Sequence, residues 1–258
     1  MAAYRFVDKT LMIVELEVWK LRHDPTELIT RAVQPMLWLL LFGEVFNRLR
    51  VIPTGSRPYL DFMAPGILAQ SVLFVAIFYG ISVIWERDLG VVHKLMVTPT
   101  SRSALVLGKA LSAGVRGLSQ AAIIYALAFV LGVRLSWDPL TILGVLLLVV
   151  IGAALFSTFS LIIATIVKTR ERFMGIGQVL TMPLFFASNA IYPLAIMPGW
   201  LQAISRVNPL SYEVDGLRAL MLSRGTSSFG LGVDFGVLIA ITAVLVGIAG
   251  RLYGRLVV

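Results

Sequence analysis

Reactive side chains are scarce in this chain, and the types that are present exclude several kinds of chemistry. The sequence has no cysteine and only two histidines, His23 and His93. Thiolate nucleophiles, disulfides and thiolate metal sites are therefore excluded, and neither a metal site nor a catalytic residue is expected. The sequence also lacks a GxxxxGK-S/T loop, the glycine-rich turn whose backbone amides hold nucleotide phosphates. The chain is therefore not expected to be an enzyme with its own ATP site.

Charged and polar residues are concentrated in one stretch, residues 86–109, which reads ERDLGVVHKLMVTPTSRSALVLGK. Leu89, Val92 and Met96 recur at three- and four-residue spacing and so share one face of a helix. The acids at the start suit a helix N-terminus, and the residue before Pro99 is pushed out of helical geometry. We expect an amphipathic helix over residues 86–97 that binds a membrane surface or another protein, rather than a solvated loop. Its candidate binding residues are Glu86, Arg87, Asp88, Leu89, Val92 and Met96.

Arg116 is the charge that lies clearly inside a predicted span, where an ionisable side chain usually marks function. Two interpretations are open: its long side chain reaches the nearer membrane surface, or it takes part in gating. The carboxylates or histidines that a proton relay needs are not expected deep in any span. The acids on the inner side, Glu86, Asp88 and Glu171, are also too few for the metal-binding sets of lipid- or glycan-modifying membrane enzymes.

The apolar composition of the chain predicts that transmembrane helices position these residues. Of 258 residues, 58% are hydrophobic and 14% are charged, whereas a soluble domain carries about 25% charged residues. Runs of about 18 or more apolar residues recur, which is the signature of transmembrane helices. The net charge of +8 comes from residues that flank these runs, so membrane topology explains it better than nucleic-acid binding.

We predict an all-α membrane domain over residues 24–258, preceded by an interfacial amphipathic helix over residues 1–23 that could instead pack on a soluble partner. Pro35 is expected to kink the first span, and Asp61 to cap the second. Two short amphipathic helices, starting near Gly199 and after Asn208, are expected to form an extracytoplasmic cap between spans five and six. The six predicted spans are residues 25–47, 62–85, 110–131, 140–167, 173–191 and 232–250.

The distribution of basic residues predicts the orientation of these spans. About twice as many lysines and arginines fall on the side that holds both termini as on the opposite side. This bias favours a multi-pass protein of the plasma (inner) membrane with both termini in the cytoplasm. The outer cluster of Arg48, Arg50 and Arg57 argues mildly against it, and neither this cluster nor Glu44 is assigned a role.

Two segments resemble the signatures of ABC-2 type transporter permeases. The first, ERDLGVVHKLMVTPTSRSALVLGKAL, follows span two; the second, LFFASNAIYPLAIMPGWLQAISRVNPLSYEVDGLRALM, covers residues 184–221. Its Pro-Gly-Trp-Leu and Asn-Pro-Leu-Ser-Tyr elements are specific, and the likeness extends over nearly the whole chain. The NPLSYEVDGLRAL portion is most similar to the drug-resistance, daunorubicin-exporter-like branch.

What the resemblance implies is a permease subunit of an ATP-binding cassette exporter that moves a hydrophobic or amphipathic substrate outward. The partners it implies are a second permease chain, in a homodimer or alternatively a heterodimer, and two cytosolic ATPase subunits that bind ATP and Mg²⁺. Residues 86–97 would then be the coupling helix. The alternative is a permease for polysaccharides or lipid-linked glycans, and a membrane enzyme and a non-catalytic scaffold remain as other classes.

The same resemblance places spans two and five along the substrate path at the two-fold axis. An equally open interpretation is that the aromatic residues of these spans face lipid or pack within the bundle. The candidate lining residues are Phe74, Phe78, Phe185, Phe186 and Asn189.

Overall fold

The computed structural model describes Met12, Glu15, Trp19, Thr30 and residues 33–49, 52–53, 58–90, 102–167 and 169–253. These residues form helices and connecting turns, with one isolated antiparallel bridge between Leu135 and Leu222. A π-helix at Trp38–Gly43 precedes α1, and a 3-10 turn at Leu194–Ile196 precedes α6. The α-helices are α1 (Glu44–Leu49), α2 (Tyr59–Asp88), α3 (Arg102–Val130), α4 (Pro139–Ile166), α5 (Arg170–Phe186), α6 (Gly199–Val207), α7 (Pro209–Met221) and α8 (Leu231–Leu252).

Helix α2 is the centre of the bundle, and most of its side chains are buried. It packs against α3, α4, α5 and α7, and α4 packs in turn against α3, α7 and α8. The prediction that Asp61 caps α2 is wrong, because the helix begins after Pro58, whose fixed backbone geometry suits a helix start. Asp61 instead lies in the first turn, where its carboxylate is 3.7 Å from the guanidinium of Arg134.

The described chain contains four helices that are long and apolar enough to cross a membrane. They are α2, α4, α8 and the 104–130 part of α3. Helix α4 follows the predicted range 140–167 closely, because Asp138 accepts a hydrogen bond from the Thr141 amide and Pro139 occupies the first helical position. Helix α3 begins eight residues or so before the predicted residue 110, so Lys109 lies inside it.

The first and fifth predicted spans differ from these four. Residues 25–47 are only partly described, and there the chain stays helical through Pro35 before widening into the π-helix, a recognised cause of helix bending. Helix α5 has 17 residues and ends at Phe186 rather than near residue 191. It stops because the Ser188 hydroxyl donates to the Phe185 carbonyl, which competes with continued helix bonding. Six spans therefore stay a prediction.

Helices α6 and α7 exist as predicted; α6 is largely exposed, whereas α7 does not lie on the surface. Asn208 caps α7 by accepting from the Leu210 amide, and the predicted apolar stripe of α7 is fully buried. The opposite, polar face of α7 is buried as well, with Glu213 and Asp215 at 0% exposure. A helix resting on a surface would expose that face, so α7 is instead inserted between α2, α4 and α8. The buried stripe consists of Leu210, Val214, Leu217 and Met221.

The predicted N-terminal helix over residues 1–23 lies almost wholly outside the described residues. Met12, Glu15 and Trp19 are helical, and all three side chains are exposed. Near the end of the first predicted span, Glu44 pairs with Arg48 one helical turn away, at 3.0 Å and largely in solvent. Arg50 and Arg57 lie outside the described residues.

Candidate functional site

The end of α2 does not have the form that its sequence indicates. Glu86, Arg87 and Asp88 were predicted to open a new helix, but they form the last turn of α2. The helix ends at Leu89, and Gly90 follows with φ of 73°, a left-handed conformation that glycine adopts without strain. An amphipathic helix beginning at Glu86 is therefore wrong. Residues 91–101, which include Val92 and Met96, lie outside the described residues.

The charged side chains of this last turn are engaged within the chain. Asp88 accepts from Arg87 through one carboxylate oxygen, and from Arg170 of α5 through the other at 3.0 Å. The Arg170 guanidinium also lies over the Trp85 ring, 4.2 Å from its centre. Leu89 differs from these residues because its side chain is 72% exposed. Among the described residues at this end of α2, Leu89 is the most exposed apolar residue, ahead of Trp85 at 50%.

Glu86 forms an ion pair with Lys109 of α3, and this pair lies mostly out of solvent. The side-chain exposures are 10% for Lys109 and 19% for Glu86. Lys109 also sits 5.7 Å from the centre of the Tyr79 ring, on the same helix as Glu86. Glu86 and Lys109 flank residues 91–101 in sequence, so the pair fixes the distance between the two ends of that segment.

Arg116 is half-buried and lies near the middle of α3 rather than near its start. Its distance from the start of α3 along the helix axis is about 21 Å. Its guanidinium lies 5.1 Å from the centre of the Tyr79 ring, so it packs against α2. This position favours a contact between two spans over a side chain extended to the membrane surface, and the gating role stays a prediction.

A cavity of about 480 Å³ lies between the first predicted span, α2, α3 and α5. We call it the amide cavity, because a glutamine from each of these four elements lines it: Gln34, Gln70, Gln120 and Gln178. Its remaining described lining residues are Thr30, Pro35, Ser71, Phe74, Val75, Phe78 and Met182. Two of the five predicted path residues, Phe74 and Phe78, therefore come together here, with ring centres 6.1 Å apart.

The other three predicted path residues lie elsewhere. Phe185 is fully buried and contacts the Trp38 ring edge-on at 5.8 Å. Phe186 is 43% exposed on the side of α5, and Asn189 is buried in the turn that follows. The structure does not bring these residues to the amide cavity, and their part in a path stays a prediction.

Buried acids near the membrane centre are the feature that sequence reasoning missed. Glu213 of α7 lies against Gly152, the midpoint of α4, and a methyl group at Gly152 would overlap its carboxyl. Neither carboxyl oxygen has a hydrogen-bond partner among the described residues. The hydropathy pattern assigned α7 to a loop, so no signal placed this acid at such a depth.

Two further acids share one serine at the N-terminal end of α8. The Ser227 hydroxyl lies 2.8 Å from a carboxylate oxygen of both Asp215 and Asp234, and it accepts from the Gly230 amide. One hydroxyl proton can serve only one of the two acids, so keeping both bonds requires a proton on the other. The Ser228 and Phe229 amides also donate to the same carboxylate oxygen of Asp215. The cluster ties α7 to α8.

Arg218 completes the buried polar face of α7. Its guanidinium donates to the Asn189 carbonyl at 2.8 Å and lies 3.9 Å from the centre of the Phe62 ring. These contacts join α7 to α2 and to the turn after α5. Helix α7, which carries part of the sequence signature, is therefore packed inside the bundle and held there by charge-assisted and cation–π contacts.

Long apolar helices, an inserted helix and a cavity between spans define a multi-pass helical membrane protein. Sequence comparison gives its family. The chain belongs to the ABC-2 type transporter family, whose sequence model matches residues 9–222. The resemblance of residues 86–111 and 184–221 to permease signatures is thereby confirmed.

Relatives of known name support the same assignment. A putative transport permease, ycf38 of Cyanophora paradoxa, is 32% identical over 222 residues, covering 84% of this chain and 76% of that protein. The daunorubicin resistance ABC transporter permease protein DrrB1 of Streptomyces coeruleorubidus is 28% identical over 250 residues, covering 97% of this chain and 86% of its own. The inner membrane transport permease YadH of Escherichia coli is 26% identical, with 82% and 81% covered.

Proposed function

We propose that this chain is the permease subunit of an ATP-binding cassette exporter that moves a hydrophobic or amphipathic molecule outward. The observation that carries the proposal is the family match over residues 9–222. The drug-resistance branch is supported by relatives named for daunorubicin and doxorubicin resistance. A glycan exporter is not favoured, since neither these names nor a cavity of about 480 Å³ points to a long sugar chain.

In this proposal, a separate ATPase supplies the energy for transport. Two permease chains assemble with two cytosolic ATPase subunits, which bind ATP and Mg²⁺, and the complex lies in the plasma membrane with both permease termini in the cytoplasm. Nucleotide-driven closure of the ATPases pushes on residues 86–97 of each permease. The absence of a phosphate-binding glycine loop in the sequence supports this division of labour.

The contacts at the end of α2 suggest how such a push would reach the cavity. Asp88 is tied to Arg170 at the start of α5, and Glu86 is tied to Lys109 on α3. Helices α2, α3 and α5 each contribute lining to the amide cavity. A displacement of the last turn of α2 would therefore move three of the cavity's four walls together.

The test of this proposal is a charge placed on Leu89. Burying one leucine in a partner's groove contributes about 1.5–3 kcal/mol, and an aspartate there adds a desolvation cost. Leu89→Asp should let the permease insert but weaken its association with a co-expressed ATPase from the same genome, and export should fall in parallel. The readouts are co-purification of the ATPase and transport in reconstituted vesicles.

The matched control is Val130→Asp, at the end of α3 that lies on the other side of the membrane. Val130 is 80% exposed, close to the 72% of Leu89, so the two changes are alike in chemistry and accessibility. Val130→Asp should retain the ATPase. Wild-type association and export by Leu89→Asp would show that this turn is not a docking surface, and ATP hydrolysis by the purified permease alone would contradict the proposed division of labour.

A further inference from the structure

We propose that the amide cavity binds neutral, flat molecules that carry a hydroxyl group, and that Gln120 selects them by hydrogen bonding to this group. This inference rests on the proposed transport function, because it names the class of molecule that the permease would take. It follows from the positions of the four glutamines and from the buried, unpaired side-chain amide of Gln120.

Gln120 is the lining residue that indicates a bound ligand. Its side chain is 1% exposed, and neither its amide oxygen nor its amide nitrogen has a hydrogen-bond partner among the described residues. Leaving both halves of a buried amide unpaired is costly, and such groups in native proteins usually have a reason. Gln120 lines the amide cavity, so a ligand group that both donates and accepts there would remove this cost.

Gln70 on α2 and Gln120 on α3 lie at the same depth and form the floor of the amide cavity. Gln70 precedes the end of α2 by the same number of residues as Gln120 follows the start of α3. Each amide thus lies about 27 Å along its helix from the side where residues 91–101 connect them. Gln70 is buried too, at 3% exposure, whereas Gln34 and Gln178 are exposed. The cavity therefore has a buried amide floor and opens between the first predicted span and α5.

Between floor and mouth the walls are apolar and aromatic. Phe74 and Phe78 lie one helical turn apart on α2, their rings 6.1 Å apart and tilted by 35°. The Phe78 ring packs against Gly177 of α5. Flat ring systems pack well against such faces. A volume of about 480 Å³ falls within the range of drug-sized ligand sites.

The described lining also sets the charge of the ligand. Its eleven residues include no ionisable side chain. A charged molecule would lose its water shell here without gaining a counter-charge from these residues, whereas a neutral molecule with hydroxyl or carbonyl groups loses little. A purely apolar molecule would fill the space but leave the Gln120 amide unpaired. Neutral ligands with a polar edge therefore fit this site best.

The experiment uses a matched set of flat tricyclic probes on the full-length permease in lipid nanodiscs. Hydroxymethyl-anthraquinone is neutral and has a donor and an acceptor, methyl-anthraquinone lacks both on its substituent, aminomethyl-anthraquinone is a cation, and anthraquinone sulfonate is an anion. Equilibrium dialysis without any ATPase measures binding. The hydroxymethyl probe should bind about tenfold more tightly than the other three.

Gln120→Leu should abolish the tenfold advantage while leaving methyl-anthraquinone binding unchanged or tighter. It should not lower the thermal midpoint, because it removes an unpaired buried amide; Gln120→Met serves the same purpose should the leucine variant fail to fold. The control is Gln202→Leu, since Gln202 donates to the Met197 carbonyl outside the cavity. It should retain the wild-type preference.

Equal binding of the four probes by wild type, or an undiminished hydroxymethyl preference in both Gln120 variants, would overturn this inference. A tighter cation or anion would overturn the charge argument in the same way. If the preference is absent but the ATPase still drives export of a drug, the proposed function stands and the inference fails. If the preference is present and no ATPase associates, the site stands and the proposed function fails.

Discussion

The ion pair between Glu86 and Lys109 gives the sharpest test of how the end of α2 is held in this permease. Glu86→Gln keeps the shape of the side chain and removes its charge, which leaves Lys109 at 10% exposure without a counter-ion. Breaking a buried pair from one side costs about 3–5 kcal/mol. The Tyr79 ring, 5.7 Å from the ammonium, offsets part of this. We expect a loss in free energy of unfolding of about 3 kcal/mol, near the lower limit.

The matched control is the second glutamate–base pair, Glu44 with Arg48. It has nearly ideal distance, 3.0 Å, but the side-chain exposures are 43% and 78%. Water already solvates both charges, so Glu44→Gln should cost about 0–1 kcal/mol. Burial is thus the main difference between the two substitutions. SDS titration of the purified permease in mixed micelles measures the unfolding free energy of each.

A double variant separates an unpaired charge from lost packing. Glu86→Gln with Lys109→Met removes both charges, and replacing a whole buried pair is often neutral. It should recover most of the stability that Glu86→Gln loses. The reasoning is refuted if Glu86→Gln costs no more than Glu44→Gln, or if the double variant is as unstable as the single one. Because the pair flanks residues 91–101, ATPase association should fall with Glu86→Gln and recover with the double variant.

Two further predictions concern packing and topology. Gly66→Ala would place a methyl group 2.5 Å from the Ala190 carbonyl oxygen and should destabilise by about 1–3 kcal/mol, while Gly247→Ala, with nothing within 4 Å, should not; thermal unfolding in detergent distinguishes them. Since the native chain lacks cysteine, Ser228→Cys should react with an impermeant thiol reagent in intact cells and Glu171→Cys only after permeabilisation. Labelling of Glu171→Cys in intact cells would invert the predicted orientation.

Local signals in the sequence predicted much of the helix order. Asp138 before Pro139 and Asn208 before Pro209 each combine a capping side chain with a proline at the first helical position, and both helices begin there. Such signals work because the cap bond spans only two or three residues. The start of α3 and the end of α5 have no equivalent signal, which is why α3 starts earlier and α5 ends earlier than predicted.

The end of α2 shows why the site was harder to predict than the helices. Glu86 and Asp88 are unfavourable near a helix C-terminus, so the sequence indicated a new N-terminus instead. The bonds that stabilise them there come from Lys109 and Arg170, which are 23 and 82 residues away. A pattern confined to one stretch cannot include partners at that separation. The helix that carries these polar residues was therefore predicted wrongly, and their role in binding a partner stays a prediction.

Helix α7 shows the same limit at the membrane centre. A 13-residue helix with Glu213, Asp215 and Arg218 looks like a surface element, since each charge is costly to bury. It is inserted because other parts of the chain remove that cost: backbone amides donate to Asp215, and the Asn189 carbonyl accepts from Arg218. Gly152 of α4 supplies the room for Glu213, whose own oxygens stay unpaired. The depth of α7 is therefore a property of its neighbours, and hydropathy along α7 itself carries no information about them.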